Sequence, residues 1–277
     1  MLDVIKAVLY GIVEGITEWL PVSSTGHMIL LDEFVKMDVS ADFWNMFLVV
    51  IQLGAILAVV LLYWNQIFPW DFSQEARKEH RVNKKEIWML WAKILVACIP
   101  AAVVGLILDD WIDEHLYNGY VVATMLILFG ILFIIVENKN KGKEPVIKTL
   151  DDIDFKTAFI IGLFQLIAAM FPGTSRSGST IVGALMIGVS RTVAAEFTFF
   201  LAIPVMFGAS LLKIVKFGLA FSASEIAILL TGMVVAFIVS VIVIKFLMNY
   251  IRKHDFKVFG WYRIILGAIV LIYFFFK

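Results

Sequence analysis

Residues 155–190 read FKTAFIIGLFQLIAAMFPGTSRSGSTIVGALMIGVS, an apolar run that a polar segment interrupts near its middle. The interruption, PGTSRSGST at 172–180, combines a proline, glycines, hydroxyl residues and an arginine. This pattern predicts a helix of roughly 16–18 residues, a break, and a second helix of about 12–14 residues. A break within lipid leaves backbone N–H and C=O groups without partners, so it is tolerated only inside protein or along a cavity. We therefore predict that 155–190 is a re-entrant helical hairpin.

Residues 3–36 have the same layout, with the polar sequence EGITEWLPVSSTGH at 14–27. Pro21 is again followed by small hydroxyl residues, so we predict a second re-entrant hairpin here. A secretory signal peptide is not expected, because acidic residues interrupt the segment and no small-residue cleavage site follows it.

The composition indicates an integral membrane protein. Of the 277 residues, 61% are hydrophobic and 17% are charged, whereas about 25% are charged in an average soluble domain. Mean hydropathy is +0.93. Basic and acidic residues both total 23, and this balance excludes the strongly basic surface typical of nucleic-acid-binding proteins. The single cysteine, Cys98, excludes an intrachain disulfide and a cysteine metal cluster.

Six further runs are long and apolar enough to cross a bilayer as helices. They are 43–63, 88–108, 119–136, 193–215, 224–249 and 260–276. Lys93 is the main charged exception, and its place near the start of a run indicates a side chain that reaches the interface. The predicted fold is therefore an all-α polytopic membrane protein with six transmembrane helices and two re-entrant hairpins.

Basic residues predict the orientation. Loops 65–87 and 137–157 each carry five Lys or Arg and loop 250–259 carries three, whereas loop 109–118 carries none. Basic loops are typically cytoplasmic. These three loops fall on one side only if each hairpin returns to its own side, which also places both termini outside the cytoplasm.

The two hairpins match each other at a constant offset of 151 residues. The matched pairs are Gly11 with Gly162, Glu14 with Gln165, Pro21 with Pro172, Ser23 with Thr174 and Ser24 with Ser175. We predict two inverted repeats, 1–136 and 155–277, each a hairpin (3–36 or 155–190) followed by three transmembrane helices, with 137–154 as a basic cytoplasmic linker. Inverted repeats with broken helices place their site at the repeat interface.

The second break has the chemistry of an anion site. Ser175 is a suitable N-cap for a helix that continues through 188, and a helix N-terminus attracts anions. Gly173 and Gly178 allow close approach of the backbone. The guanidinium of Arg176 matches phosphate oxygens, although a structural bridge to a glutamate is an alternative or additional role.

The first break supplies different groups. Glu14 and Glu18 are four residues apart on one helix face and would repel each other unless a metal, a proton or Arg176 joined them. Ser23 or Ser24 can cap the following helix, and His27 lies about one turn further along it. A serine, a histidine and a carboxylate within reach of one another form a nucleophile, a base and an orienting group. Individually, the serine fits a simple cap and the histidine a packed side chain.

The inverted repeat brings both breaks together in a small polar pocket. An anion site with a nucleophile and a base suits phosphoryl transfer, and Glu14 and Glu18 are candidate ligands for a divalent cation. A pocket within the bilayer implies a substrate with an apolar tail. The residues therefore predict hydrolysis of a phosphorylated lipid.

The two break sequences resemble the signatures of the undecaprenyl-diphosphate phosphatase family of the bacitracin-resistance type. The first matches the pattern Glu/Gln-x-x-x-Glu through Glu14 and Glu18. The second matches Pro-Gly-x-Ser-Arg-Ser-x-x-Thr through Pro172, Gly173, Ser175, Arg176, Ser177 and Thr180. The resemblance covers essentially the whole chain.

This resemblance implies a bacterial inner-membrane enzyme that removes the terminal phosphate of undecaprenyl diphosphate, a polyprenyl diphosphate lipid. The product carries peptidoglycan precursors, and its recycling leaves less diphosphate for bacitracin. The resemblance also implies a divalent cation, magnesium or calcium, and a pocket open to the periplasm. The family's functional positions fall on Glu14, Glu18, Ser23, Ser24, His27, Ser175, Arg176 and Thr180.

In the mechanism that we expect, Ser24 attacks the terminal phosphorus with His27 as base, and Arg176 holds the diphosphate. Glu14 or Glu18 orients His27 or binds the metal. Attack by His27 itself, or by water, is an alternative. The further substrate-binding candidates are Ser23, Gly173, Ser175, Ser177 and Thr180.

A transporter or flippase for polyprenyl phosphate is the main rival function, since inverted repeats with broken helices are common in secondary transporters. The serine–histidine pair favours the enzyme, because a carrier of anions does not need it. The oligomeric state is open, with a homodimer as one option.

Overall fold

The computed structural model describes residues 2–70, 84–218 and 220–276, apart from four side chains within 106–113. Three basic residues counted in loop 65–87, Arg77, Lys78 and Arg81, lie outside this description, as do the side chains of Asp109, Asp110 and Asp113. The described residues form helices and no strand. These are α1 (Leu2–Thr17), α2 (Ser24–Phe34), α3 (Ala41–Leu62), α4 (Trp64–Ile67), α5 (Lys85–His115), α6 (Gly119–Asn140), α7 (Phe155–Met170), α8 (Arg176–Met186), α9 (Arg191–Phe217), α10 (Ala223–Ile251) and α11 (Lys257–Phe276).

Six of these helices (α3, α5, α6, α9, α10 and α11) are long and apolar enough to cross a membrane. They correspond one to one to the six predicted runs, so the prediction of an all-α, multi-pass membrane protein is confirmed. The ammonium of Lys93 donates to the carbonyl oxygen of Asp151 at 3.2 Å. Lys93 is buried, so its ammonium is bound by the segment between α6 and α7 and does not reach open water.

The remaining long pairs, α1–α2 and α7–α8, are the two predicted helix–break–helix segments. Each has a first helix of 16 residues and a second of 11 residues. The second helices are shorter than expected, and α8 ends at Met186 instead of continuing through 188. Gly188 adopts a φ of 86°, which ends the helix, and Val189 then pairs with Ile147 in an isolated β-bridge.

One end of the bundle gathers the segments that flank the basic loops. Asn140 at the end of α6 donates to the carbonyl oxygen of Leu185, near the end of α8, at 2.8 Å. Glu137 pairs with Arg191 at the start of α9, with Oε2 and Nη2 at 2.5 Å, and accepts from the backbone N–H of Phe256 at 2.9 Å. We call this the linker end, because the segment between α6 and α7 lies here.

The opposite end gathers the start of α1 and the end of α2. The backbone N–H of Asp38, beyond the end of α2, donates to the carboxylate of Asp3 in the first turn of α1 at 3.1 Å. The hydroxyl of Tyr10, midway along α1, donates to the carbonyl oxygen of Val35, just after α2, at 2.8 Å. Tyr120 at the start of α6 donates to the carbonyl oxygen of Phe274, near the end of α11, at 3.1 Å. Tyr273 donates to Glu33 in α2 at 3.1 Å, so these termini share one end.

Glycines allow the first helix of each pair to approach a spanning helix closely. A Cβ atom built on Gly11 of α1 would lie 2.6 Å from the carbonyl oxygen of Gly232 in α10. A Cβ atom built on Gly162 of α7 would lie 2.4 Å from the carbonyl oxygen of Ala97 in α5. Close backbone contact of this kind is how small residues support helix association in membranes. It holds both breaks inside the bundle.

Candidate active site

Two serine residues with an unusual backbone open the helices that follow the breaks. Ser23 has φ 75° and Ser175 has φ 69°, and no other non-glycine residue in the described ranges has a positive φ. The hydroxyl of Ser23 accepts from the N–H of Gly26 at 3.3 Å, and that of Ser175 accepts from the N–H of Gly178 at 3.1 Å. Ser175 is therefore the N-cap of α8, as predicted. Of the two candidates for α2, Ser23 and not Ser24 is the cap. A left-handed conformation costs a non-glycine residue about 1–2 kcal/mol, and such strain concentrates at functional sites.

Glu18 joins the two breaks. Its Oε2 accepts from the hydroxyl of Ser24 at 2.7 Å, and its Oε1 accepts from Nη2 of Arg176 at 3.0 Å, a residue 158 positions away in sequence. The Nη1 atom of Arg176 donates to the carbonyl oxygen of Thr198 in α9 at 2.9 Å. Because the carboxylate and the guanidinium are both largely buried, solvent screens their attraction little. The arrangement places a serine hydroxyl, a proton acceptor and a fixed cation at one point.

Other predicted residues of the second break brace this arrangement. The hydroxyl of Ser177 donates to the backbone carbonyl oxygen of Glu18 at 3.0 Å. The hydroxyl of Thr180 donates to the carbonyl oxygen of Arg176 at 2.9 Å and lies 2.9 Å from that of Thr198. Ser177 and Thr180 are buried and hydrogen-bonded to protein groups, so both brace the start of α8 against Glu18 and α9.

His27 is hydrogen-bonded to residues other than Ser24. Its Nδ1 lies 2.7 Å from the carbonyl oxygen of Ser23, and its Nε2 lies 2.7 Å from the hydroxyl of Tyr262. A carbonyl oxygen only accepts, so Nδ1 carries a proton, and when the ring is neutral Nε2 accepts from the Tyr262 hydroxyl. The hydroxyl of Ser24 points instead to Glu18. Glu18, and not His27, is therefore the proton acceptor that this geometry offers to Ser24.

Several buried polar atoms around the breaks lack a hydrogen-bond partner among the described residues. Oε1 of Glu14, Oγ1 of Thr174, Nε of Arg176 and both amide atoms of Gln165 have this property. Glu14 is only 1% exposed. Because buried polar groups are normally satisfied, these atoms indicate places for water, an ion or a ligand.

The cation prediction can be compared with the donor set. Glu14 and Glu18 lie one helical turn apart, and Glu14 has a free buried oxygen atom. The described residues contain no group of three or more His, Cys, Asp or Glu side chains that could hold a metal. Magnesium usually takes only one or two carboxylates and completes its shell with water and substrate phosphate oxygens, so two glutamates fit it.

The backbone of Gly173 lies where only glycine fits. Gly173 has φ 90°, and a Cβ atom built on it would lie 2.6 Å from Cα of Val122, in the first turn of α6. Gly173 therefore lets the second break pack directly against α6.

Sequence reasoning missed two neighbouring residues of α11. Tyr262 holds His27, as described above. Arg263 is 0% exposed, and its guanidinium donates to the carbonyl oxygens of Pro21, Gly173 and Thr174 at 3.2, 3.0 and 2.6 Å. An arginine close to the start of an apolar run was the available signal, since buried charge in a membrane is usually functional.

Comparison with known proteins places this sequence in a family. The sequence profile of the family described as "Bacitracin resistance protein BacA" matches residues 7–269. A protein named undecaprenyl-diphosphatase from Desulfitobacterium hafniense is 65% identical over 274 residues, which cover 99% of this chain and 97% of that protein. One named undecaprenyl-diphosphatase 1 from Clostridium acetobutylicum is 62% identical over 273 residues, 99% of this chain and 98% of its own. An undecaprenyl-diphosphatase from Enterococcus faecalis is 57% identical over 271 residues, 98% and 97% respectively. The chain therefore belongs to the bacitracin resistance protein BacA family.

Proposed function

We propose that this protein is an undecaprenyl-diphosphatase of the bacterial inner membrane. It hydrolyses undecaprenyl diphosphate to undecaprenyl phosphate and inorganic phosphate, and so returns the lipid carrier to peptidoglycan synthesis. The contact of Glu18 with both Ser24 and Arg176 is the observation that carries this proposal. The names of the relatives support the substrate, and removal of the diphosphate accounts for resistance to bacitracin.

Binding of the diphosphate uses the starts of α2 and α8. Both helices begin at a serine cap, and their first residues, Ser24 and Arg176, meet at Glu18. The free N–H groups of a first helical turn attract anions. Arg176, the first residue of α8, adds a guanidinium that can hold two phosphate oxygens. The unpartnered Nε atom of Arg176 supports a role beyond its bridge to Glu18.

The first chemical step transfers the terminal phosphoryl group to Ser24. The Oγ atom of Ser24 forms a bond to the terminal phosphorus, and the bond from that phosphorus to the bridging oxygen breaks. Undecaprenyl phosphate leaves, and the Ser24 proton passes to Glu18, whose Oε2 already accepts it at 2.7 Å. The substrate draws Arg176 toward its own oxygens, which frees the Glu18 carboxylate to take the proton.

The second step releases phosphate. Water attacks the phosphoserine, the bond between phosphorus and Oγ breaks, and protonated Glu18 returns its proton to Oγ, which restores the Ser24 hydroxyl and the Glu18 carboxylate. We assign His27 to this step, because its Nε2 carries a lone pair that only Tyr262 occupies. The proton of the water goes to this nitrogen once the Tyr262 hydroxyl turns away.

A divalent cation, magnesium or calcium, is part of the proposal. Glu14 and Glu18 would hold it, and the orphaned Oε1 of Glu14 supports this role. When bound, such an ion neutralises phosphate oxygens and orients the terminal phosphoryl group.

We further propose that α1–α2 and α7–α8 are re-entrant hairpins of two inverted repeats, 1–136 and 155–277. The start of α1 and the end of α2 share one end of the bundle, and the end of α8 lies at the other. Each hairpin packs on the second spanning helix of the opposite half, through Gly11 and Gly162. Gly130 of α6 and Gly260 of α11 meet reciprocally, each close to the carbonyl oxygen of the other.

The linker end is proposed to be cytoplasmic, because four lysines lie in or beside the segment between α6 and α7: Lys139, Lys141, Lys143 and Lys148. Both termini are then outside, and the pocket opens to the periplasm. The contact of Gly173 with Val122 supports this opening, because Val122 lies in the first turn of α6, at the end opposite the linker.

Release of phosphate from the lipid tests the function. Purified protein in detergent is mixed with undecaprenyl or farnesyl diphosphate and magnesium or calcium, and phosphate and lipid monophosphate are measured. We expect both products in equal amounts, and loss of activity in Arg176→Ala. Arg191→Ala is the matched control, because it removes another arginine–glutamate pair at the linker end and should keep its activity.

The same preparation distinguishes the rival function. A flippase for polyprenyl phosphate would release no phosphate under these conditions. Arg176→Ala would nevertheless change the distribution of the lipid across reconstituted bilayers. That combination of results would replace the phosphatase proposal with transport.

A further inference from the structure

The guanidinium of Arg263 lies behind both breaks and contacts each of them. Its Nη1 donates to the carbonyl oxygen of Pro21 in the first break at 3.2 Å. Its Nη2 donates to the carbonyl oxygens of Gly173 and Thr174 in the second break at 3.0 and 2.6 Å. Arg263 is thus a direct link between two segments that are far apart in sequence.

The surroundings of Arg263 argue against a simple ion pair. No carboxylate among the described residues forms a salt bridge with it, although the residue is fully buried. The ring of Phe129 lies 5.9 Å from its Cζ and adds a cation–π contact. A buried arginine without a carboxylate is costly in a membrane, so its presence indicates a functional role, and its contacts with carbonyl oxygens of both breaks indicate which one.

The carbonyl oxygens that Arg263 holds precede the strained serine caps. The Thr174 carbonyl belongs to the peptide group that leads into Ser175, whose φ is 69°. The Pro21 carbonyl lies two residues before Ser23, whose φ is 75°. A fixed carbonyl limits rotation of its peptide group, so both contacts help to hold the caps in a conformation that serine otherwise avoids.

Gly178 explains how the guanidinium fits beneath α8. A Cβ atom built on Gly178 would lie 2.8 Å from Nη1 of Arg263, which is closer than real Cβ contacts. The second glycine of the PGTSRSGST segment therefore leaves the space that Arg263 fills. The next nearest atoms to that Cβ, in the Ser175 side chain, lie at 3.3 Å, an approach that neighbouring atoms can accommodate by small shifts.

We propose that Arg263 is a positioning residue that fixes both breaks, so that Ser24 and Arg176 meet at Glu18. It does not touch the substrate. Without it the breaks lose the link behind them, although Arg176 and Ser177 still join the second break to Glu18. The contacts of 2.7 and 3.0 Å at Glu18 are then held less firmly. Misplacement of reacting groups by a distance on the order of 1 Å reduces turnover by about a hundredfold. This inference rests on the proposed phosphatase function.

A double-mutant cycle between Arg263 and Gly178 tests the proposal. In each variant kcat is measured per folded molecule. We expect Arg263→Met to lower kcat about a hundredfold, and Arg263→Lys about tenfold or more, because a single ammonium cannot hold both breaks. KM should change less than about threefold, since positioning acts on turnover. Gly178→Ala should lower kcat in the wild-type background but cause little further loss in Arg263→Met, because the displaced guanidinium is then absent.

The controls separate this proposal from a general loss of structure and from failure of the function. Lys257→Met removes a partly exposed, ion-paired cation from the same helix and should leave kcat unchanged. Gel filtration and thermal unfolding give the folded fraction, and Gly178→Ala carries the test if the Arg263 variants do not fold. A large rise in KM at constant kcat, additive effects of the two substitutions, or wild-type kcat in Arg263→Met would overturn the inference. Absence of phosphate release by the wild-type protein would instead overturn the proposed function.

Discussion

Replacement of Glu18 by glutamine should inactivate the site while keeping its shape. In the structure both carboxylate oxygens of Glu18 face donors, the hydroxyl of Ser24 at 2.7 Å and the guanidinium of Arg176 at 3.0 Å. Glutamine has one carbonyl oxygen and one NH₂ group, so one of these donors must face another donor. If the NH₂ group faces Ser24, the hydroxyl turns to accept and its proton no longer has an acceptor.

The expected size of the effect follows from the role of the carboxylate. Loss of a positioned proton acceptor typically costs a factor of about 10²–10⁴ in rate. This corresponds to roughly 3–5 kcal/mol of transition-state stabilisation. Breaking the buried pair with Arg176 also destabilises the folded protein, by about 3–5 kcal/mol. Activity must therefore be compared per folded molecule.

Release of phosphate from farnesyl diphosphate by purified protein measures this effect, and gel filtration gives the folded fraction. Glu137→Gln is the matched control, since Glu137 is also buried and pairs with Arg191 at the linker end. Both variants should lower the unfolding midpoint, but only Glu18→Gln should lose catalysis. Retention of more than about a tenth of wild-type activity in Glu18→Gln, or an equal loss in Glu137→Gln, would refute this reasoning.

Two further substitutions test the surroundings of the site. Gly173→Ala should lower the free energy of unfolding by at least about 2 kcal/mol, because the residue has φ 90° and its Cβ would lie 2.6 Å from Val122. Denaturant unfolding measures this loss. Gly105→Ala is the control, because a Cβ atom at Gly105 meets nothing within 4 Å. Equal stability of the two variants would contradict the close packing of Gly173 against Val122. Tyr262→Phe removes one hydrogen bond from His27, worth about 1 kcal/mol, so kcat/KM should fall by less than about tenfold. A loss as large as that of Glu18→Gln would instead make the Tyr262 hydroxyl essential.

The spanning helices could be predicted because length and apolar character are properties of a single segment. The ends were less accurate, as α5 illustrates: its apolar run was expected to end at 108, but the helix continues to His115. Polar residues can continue a helix beyond an apolar run, so hydropathy marks the apolar part and not the helix end. In α8 the positive φ of Gly188 ended the helix earlier than its apolar pattern indicated.

The candidate site was only partly predictable. Glu18 and Arg176 were identified because charge within an apolar segment requires a partner, and the structure brings them together. The partner of Ser24 was not predictable from its spacing to His27. A histidine in the first turn of a helix can also bond to the carbonyl oxygen four residues earlier, and His27 does so with Ser23.

Arg263 shows where sequence reasoning fails. Its contact with Pro21 spans 242 residues, and no pattern within α11 indicates which carbonyl oxygens it reaches. The glycine that makes room for it, Gly178, was interpreted only as a position for close approach of a ligand. This part of the site depends on how three segments distant in sequence, the two breaks and α11, pack together.

Trapping of the transferred phosphoryl group tests the central claim most directly. The protein is mixed with farnesyl diphosphate labelled in its terminal phosphate, quenched at times from milliseconds to seconds, and digested for phosphopeptide mapping. We expect acid-stable label on Ser24, and none on this peptide in Ser24→Ala. Label on His27, or unlabelled protein at every quench time while phosphate is released, would contradict attack by Ser24.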